Sequence, residues 1–273
     1  MELRTRQSAL VLAAFLLCGS SACGVSEDRE IAIGRANAEQ IDARYPLVAD
    51  SVVTAYVQAL GTRLARRTSR PDLPWHFSVV DTREVNAFAL PGGFIYVNRG
   101  LIEHAARMDE LAGVLGHEIG HVVRRHSVQQ LERSGGARMG IAALCGLTNV
   151  CDSRISRIAI DLSGAAWLAR YSRAAEAEAD SEAVANTVRA GISPDGVPAM
   201  FEALLSMRQR EPGLVQTFFG SHPVEESRIA QTQQLVARLD PAIERTLVRD
   251  DAEFQAMKAR LGRGARDAGH EEP

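Results

Sequence analysis

The sequence predicts an α+β fold that is mostly helical and contains one small antiparallel sheet. Apolar residues recur at helical spacing along most of the 273 residues, which favours several amphipathic helices. Three short runs between residues 75 and 98 resemble strands and are bounded by turn residues. One predicted helix also carries a His-Glu-x-x-His motif at residues 117–121. These observations define the fold class and the place where chemistry is expected.

The composition and net charge limit which kinds of protein this chain can be and which partners it can bind. The chain is 46% hydrophobic and 24% charged, which suits a globular protein with one large domain or two small ones. Its formal net charge is only −3, and no long run of like charges stands out. We therefore expect no nucleic acid partner.

The first 22 residues are predicted to be a secretory signal. Two arginines precede an apolar run over residues 9–17, and small residues follow up to Ala22. The apolar run is too short to span a bilayer comfortably. Cleavage after Ala22 suits ordinary signal peptidase. The site also resembles that of a bacterial lipoprotein, in which Cys23 is acylated, although Ser20 departs from the usual leucine. Either route leaves Cys23 as the first residue of a polar tether over residues 23–30.

Export sets the expectation for the cysteines. We expect a periplasmic protein, held at the outer membrane by a lipid if Cys23 is acylated. In that oxidising compartment Cys145 and Cys151 are predicted to form a disulfide. A paired-thiolate metal site is the weaker alternative, because the spacing is wider than in zinc knuckles and no second cysteine pair exists.

The folded domain is placed at residues 31–261, and its first part is predicted to contain two helices and the sheet. Helical spacing extends over residues 31–67 and is broken at Tyr45-Pro46. The strands are expected at residues 75–80, 86–90 and 94–98. The last two strands are joined by Pro91-Gly92-Gly93, a tight-turn signal.

The remainder of the domain is predicted to be helical. A helix begins near Leu101, and the next one, capped by Asp109, carries the motif and runs to about Arg133. Further predicted helices follow at residues 138–147, 155–190, 197–210 and 228–239, with one more possible after Pro241. Residues 218–223 are predicted to form a loop and residues 262–273 a disordered tail.

The motif suits zinc chemistry. His117 and His121 are four residues apart, so on a helix both rings leave the same face one turn apart. That arrangement can supply two imidazole ligands to one Zn²⁺, with Glu118 placed to take a proton from water. A helix that carries two histidines without binding a metal is the alternative.

Glu176 is the best candidate for a third ligand. It lies in a Glu-x-x-Ala-Asp segment, and Asp180 is one turn further along the same helix face. Asp180 can accept the outer N–H of a ligand histidine, while Arg173 can hold a carboxylate or the substrate. The alternative is a solvated charged helix face. His126 is five residues after His121, about 140° around a continuous helix, so we expect it to point away as a surface histidine.

These segments together resemble a known family. The motif around Glu118, the segment from Arg173 to Asp180, the stretch from Asn86 to Gly93, and His222-Pro223 with Arg228 are similar to the HtpX and CAAX-prenyl-protease type of zinc metallopeptidase. The closest similarity is to the soluble periplasmic branch. The resemblance implies a gluzincin endopeptidase with a zincin-type catalytic domain. It also implies one Zn²⁺ per chain, bound by His117, His121 and Glu176.

Two further site roles are left open. His222 is a candidate oxyanion donor; the resemblance implies that it is instead a fourth zinc ligand in a resting state, and a purely local role is the third possibility. An extended substrate could pair with the edge strand at residues 86–90 or 94–98, near Asn86, Pro91, Gly92 and Gly93. Ordinary sheet and turn is the alternative there.

The leading functional hypothesis is a zinc endopeptidase of the cell envelope that degrades misfolded or misassembled envelope proteins. The substrate class comes from the resemblance. A chaperone-like assembly factor, with a zinc site that is structural or closed by His222, is the alternative. An aminopeptidase is disfavoured, because Glu176 lies far downstream of the motif and no acidic motif for an N-terminus stands out.

Overall fold

The computed structural model describes residues 24–133 and 171–268. The predicted signal at residues 1–22, the acylation candidate Cys23 and the predicted Cys145–Cys151 disulfide lie outside these residues. None of the helices within the described ranges has the length and hydropathy needed to cross a membrane.

Two helices open the described chain, as predicted. Helix α1 (Glu27–Arg44) begins after Ser26, whose side chain accepts a hydrogen bond from the Arg29 amide. Helix α2 (Ser51–Ala65) is capped by Asp50. The expected tether over residues 23–30 is wrong from Glu27 onward, because that segment is helical and the Glu30 side chain is fully buried.

The sheet has three strands, β1 (His76–Val80), β2 (Ala87–Leu90) and β3 (Phe94–Asn98). Their order is β1-β3-β2. Strand β3 pairs antiparallel with β2 and parallel with β1, so the sheet is mixed and not purely antiparallel as expected. The reason is topological. After β1 the chain forms β2 at the opposite edge of the sheet, and then returns through the turn Pro91–Gly93 to form β3 in the centre. Strand β3 consequently offers no free edge to a substrate.

The motif lies on a fully buried helix. Helix α3 (Arg99–His104) leads into α4 (Met108–Val123). Every residue of α4 is buried. The expected extension to Arg133 is wrong. Arg125 adopts a positive φ of 57°, which ends α4 and starts a new helix, α5, at residues 126–133. Asp109 lies in the first turn of α4, paired with Arg107, and does not cap it.

The remaining described elements are helices. They are α6 (Arg173–Arg189), α7 (Gly196–Arg210), α8 (Pro212–Ser221), α9 (Glu226–Val236), α10 (Pro241–Glu244) and α11 (Ala252–Ala268). Two sequence-based expectations about the C-terminal part are wrong. Most of the expected loop at residues 218–223 belongs to α8, and the expected disordered tail is helical as far as Ala268.

Glycines allow α4 and α6 to pack closely. A Cβ atom on Gly120 would lie 2.9 Å from the Ala179 carbonyl oxygen, and one on Gly116 would lie 3.3 Å from the Ala183 Cα. The two helix backbones therefore approach each other more closely than larger residues at positions 116 and 120 would permit. This contact brings the histidines of α4 against the carboxylates of α6.

Candidate active site

Four ligand-type side chains converge in the core. His117 and His121 come from α4, Glu176 from the first turn of α6, and His222 from the residue that caps the end of α8. All four residues are buried, and one ligand atom from each lies within 4.8 Å of the others. The structure therefore brings the three predicted metal ligands together and adds His222 to them.

The distances fit a tetrahedral metal ion. Zinc with ligands at about 2.0–2.1 Å separates its ligand atoms by about 3.3 Å. Here His117 Nε2 lies 3.0 Å from His121 Nε2 and 3.3 Å from His222 Nδ1. Glu176 Oε1 lies 3.2 Å from His222 Nδ1 and 3.6 Å from His121 Nε2. The donor set of three imidazoles and one carboxylate is one that Zn²⁺ accepts.

Glu118 lies beside this group without joining it. It is fully buried, and neither of its carboxylate oxygens has a hydrogen-bond partner among the described residues. Its Oε1 is 3.5 Å from His222 Nε2, the ring nitrogen that faces away from the ligand group. A buried carboxylate with free lone pairs next to a metal group is placed to accept a proton.

A buried ion cluster holds the ligands from outside. Asp180 Oδ1 lies 2.9 Å from His117 Nδ1, as the sequence predicts. Arg228 contacts both Asp180 oxygens, at 2.6 and 2.8 Å, and reaches Glu176 Oε2 at 2.6 Å. The sequence places Arg228 only within a motif and predicts no role for it, because no local pattern shows that α9 returns to α6.

Arg173 does not belong to this cluster. Its side chain is 83% exposed and pairs with Glu225 at 2.9 Å. The expected placement of Arg173 beside the ligands is wrong, because it starts α6 on the solvent side. Arg228 lies beside the carboxylates, where Arg173 was expected.

His126 is buried and lies next to a ligand. Its Nδ1 is 2.9 Å from His121 Nδ1, and only 4% of the residue is exposed. His126 is not among the four converging residues. The expectation of a surface position is wrong, because the helix breaks at Arg125 and the chain turns back.

Tyr171 also belongs to the site, although the sequence does not predict it. Its ring stacks on that of His121 at 3.9 Å between centroids, and its hydroxyl lies 2.9 Å from Ser127 Oγ. Tyr171 precedes α6 at a position with no recognisable motif, so no sequence signal marks it.

The protonation equilibria suit cation binding. Burial disfavours the charged form of His117, but hydrogen bonds to Asp180 and Glu176 outweigh it and raise the pKa of this ring to about 9. Burial and the neighbouring histidines lower the pKa of His121 well below its usual value. Burial favours the neutral form of Glu176, yet contact with His222 and His117 outweighs this and lowers its pKa. A metal cation would therefore find Glu176 ionised and displace the proton of His117.

The predicted substrate segment divides into two parts. Strand β2 is an edge strand, and the Asn86 Oδ1 just before it is buried with no hydrogen-bond partner among the described residues. The turn instead packs on α1: the Gly92 amide donates to Glu30 Oε1 at 3.3 Å, and a Cβ on Gly92 would lie 2.6 Å from the Ile31 Cα. Pro91, Gly92 and Gly93 thus belong to the contact between sheet and α1.

Comparisons with known proteins agree with this geometry. The chain is 27% identical over 250 residues to the Beta-barrel assembly-enhancing protease of Escherichia coli (strain K12), which covers 88% of this chain and 50% of that protein. It is 34% identical over 168 residues to the Metalloprotease YcaL of the same organism, covering 60% of this chain and 63% of YcaL. It is 28% identical over 180 residues to Metalloprotease LoiP, also of E. coli, covering 64% and 66%.

The chain spans about half the length of the beta-barrel assembly-enhancing proteases that it matches. A family model, Peptidase family M48, matches residues 51–236, from the first residue of α2 to the last residue of α9. Because that match covers more than half of the chain and includes all four converging residues with their outer partners, the chain belongs to peptidase family M48.

Proposed function

We propose that this chain is a zinc-dependent endopeptidase of the bacterial cell envelope that degrades misfolded or misassembled envelope proteins. The observation that carries the proposal is the tetrahedral set of His117, His121, Glu176 and His222 with Glu118 unpartnered beside it. A structural metal site has no need of a buried carboxylate without a hydrogen-bond partner.

His117, His121 and Glu176 would hold the ion, and a zinc ion there supplies Lewis acidity toward a peptide carbonyl. Glu118 accepts the proton of the attacking water and delivers it to the leaving amine nitrogen. Asp180 keeps His117 in the tautomer that presents Nε2, since their Nδ1–Oδ1 contact is 2.9 Å. Arg228 pairs with both Asp180 and Glu176; burial raises the pKa of Asp180, but hydrogen bonds from Arg228 and His117 outweigh it and lower that pKa.

His222 closes the site in this proposal. Its Nδ1 lies 3.2 Å from Glu176 Oε1 and 3.3 Å from His117 Nε2, which is the fourth vertex of the tetrahedron. A catalytic zinc needs that vertex for water or substrate. The position therefore favours a resting-state ligand over an oxyanion donor, and α8 must shift His222 away before catalysis.

The envelope location and the substrate class rest on the N-terminal signal pattern and on the relatives. One relative is named for enhancing β-barrel assembly, which supports envelope proteins as substrates. An extended substrate strand could pair with the edge of β2 next to Asn86. Acylation of Cys23 would place the peptidase at the outer membrane, facing the periplasm.

Replacing the proposed base tests the activity. Glu118→Gln is expected to bind one zinc per chain like the wild type but to lose cleavage of unfolded casein. Glu182→Gln, which alters a partly buried carboxylate that pairs with the exposed Arg124 at 2.9 Å, should cleave normally. Undiminished casein cleavage by Glu118→Gln would refute the mechanism.

A chaperone-like assembly factor is the second candidate, favoured by the closed position of His222. In that case the site binds zinc, and client binding does not depend on Glu118. Expressing Glu118→Gln in cells that lack the wild-type protein separates the two functions. Restoration of the envelope phenotype by this variant supports the assembly role, and failure supports proteolysis.

A further inference from the structure

We propose that His126 is a positioning residue for the metal ligand His121, and that the ion pair between the buried Glu30 carboxylate and the partly exposed Arg125 sets His126 in place. The inference rests on the proposed zinc function, because it concerns how the zinc ligand is oriented. It adds a contact path from helix α1 to the metal group, and α1 lies outside residues 51–236, the range matched by the family model.

The geometry of the two rings determines which nitrogen donates the hydrogen bond between His121 and His126. His121 presents Nε2 to the ligand group, 3.0 Å from His117 Nε2, so its neutral ring must carry the proton on Nδ1. That N–H points at His126 Nδ1, 2.9 Å away, which must accept it. His126 then carries its own proton on Nε2, 3.6 Å from Glu178 Oε2. The order is metal ligand, histidine, carboxylate, a longer form of the usual arrangement in which a carboxylate orients a ligand histidine.

The turn at Arg125 makes this contact possible. On a continuous helix His126 would lie about 140° away from His121. Arg125 instead has a φ of 57°, the only positive φ at a non-glycine residue within the described ranges. Its carbonyl oxygen accepts the Gln129 amide at 2.9 Å and so begins α5. The reversal turns His126 inward.

The Glu30 carboxylate holds that turn. It is fully buried and accepts from Arg125 Nε at 2.8 Å and from Arg70 Nη1 at 2.9 Å. Arg70 also donates to the Val122 carbonyl at 3.1 Å, at the end of α4. Arg125 additionally donates to the Val25 carbonyl. A buried carboxylate between two arginines thus joins α1 to both sides of the break that follows the ligand helix.

The same turn supports the other face of the His121 ring. Ser127 follows His126 and contacts the hydroxyl of Tyr171 at 2.9 Å, and Tyr171 stacks on His121. His121 is therefore fixed by a hydrogen bond along its edge and by an aromatic ring on its face. Both contacts depend on the residues directly after Arg125.

Zinc affinity, measured by chelator competition, is the first test. His126→Phe removes the acceptor and keeps an aromatic ring, so the zinc dissociation constant should rise about 10–100-fold. His126→Asn keeps an acceptor oxygen and should recover most of the affinity. His104→Phe, which alters a histidine bonded to Gly100 on α3, should bind zinc like the wild type. The visible spectrum of the cobalt-substituted protein should change for His126→Phe alone.

Wild-type affinity and an unchanged cobalt spectrum for His126→Phe would overturn the proposal. If His126→Phe does not fold, as judged by circular dichroism without metal, then His126→Asn against His126→Ala provides the same comparison. Equal zinc affinity of those two variants would also overturn it.

The second test concerns the Glu30 pair. Glu30→Gln should weaken zinc binding several-fold, and combining it with His126→Phe should add little, because both act through one contact. Glu27→Gln is the matched control, since Glu27 pairs with the same Arg70 at 2.8 Å but is 62% exposed and does not reach Arg125. Weakened folding with unaltered zinc affinity for Glu30→Gln would mean that the ion pair serves only the fold.

These readouts are independent of peptide cleavage. Should Glu118→Gln keep full activity, the proposed mechanism fails while the zinc affinities still decide the role of His126. Should His126→Phe bind zinc normally, the peptidase proposal is untouched.

Discussion

At the scale of single residues, Arg228 neutralises two buried carboxylates at once. Its side chain is only 8% exposed, and burial lowers its pKa, but the contacts with Asp180 and Glu176 outweigh burial and raise that pKa. Arg228→Met would remove a countercharge that both buried carboxylates share. We expect it to lower the free energy of unfolding of the metal-free protein by about 3–5 kcal/mol. Urea unfolding measures this.

Arg173→Met is the control for that change. Its salt bridge with Glu225 is exposed to solvent, and such pairs contribute little to stability. Similar losses for both variants would contradict the view that Arg228, and not Arg173, stabilises the carboxylates of the site.

His222 gives a second prediction at this scale. His222→Ala empties the fourth vertex and removes a donor, so zinc should bind more weakly while casein cleavage at saturating zinc rises several-fold. His104→Ala should change neither quantity. A collapse of cleavage would favour the oxyanion role, and no change would favour a purely local role.

At the scale of elements, the contact between α4 and α6 determines the ligand geometry. Gly120→Ala would place a Cβ 2.9 Å from the Ala179 carbonyl oxygen, and backbone cannot move aside as a side chain can. We expect a loss of about 1–3 kcal/mol in unfolding free energy through overpacking, together with weaker zinc binding. Thermal unfolding and chelator competition measure the two effects.

Gly213→Ala is a matched control in α8. A Cβ there meets nothing within 4 Å, so the change should be neutral or stabilise the helix by up to about 1 kcal/mol. Should Gly120→Ala prove equally harmless, the close approach of α4 and α6 would not be needed for the site.

Elements were predictable where the pattern is local. The break between α1 and α2 follows from Tyr45-Pro46, and α2, α7 and the three strands lie near their expected positions. The end of α4 was not predictable, because Arg124-Arg125 carries no glycine or proline, and the left-handed turn is held by Glu30 from a distant helix. The end of α8, by contrast, has a local signal, because Pro223 disfavours the helical conformation at His222.

At the scale of the whole molecule, a bound metal would join three separate helices. Its ligands come from α4, α6 and the end of α8, so zinc should bind only the folded state. Zinc at 100 times its dissociation constant would stabilise the fold by about 2.7 kcal/mol. Chelation should then lower the thermal midpoint by about 5–10 °C for a domain of this size.

His121→Ala controls for effects of the chelator itself. This variant lacks a ligand, so its midpoint should be lower at the outset and should hardly respond to chelation. An equal shift in wild type and variant would show that the chelator acts elsewhere.

The sequence by itself determined the mostly helical α+β class, the candidate ligand pair His117 and His121 with Glu118 between them, and Glu176 with Asp180 one turn apart. These follow from the 3.6-residue period, which fixes relative positions within one helix. Only the tertiary structure decided that His222 lies at the fourth vertex, that Arg228 and not Arg173 pairs with the carboxylates, and that His126 turns inward. Each of those depends on contacts between residues far apart in sequence, which arise from the packing of whole helices and leave no pattern in the neighbouring residues.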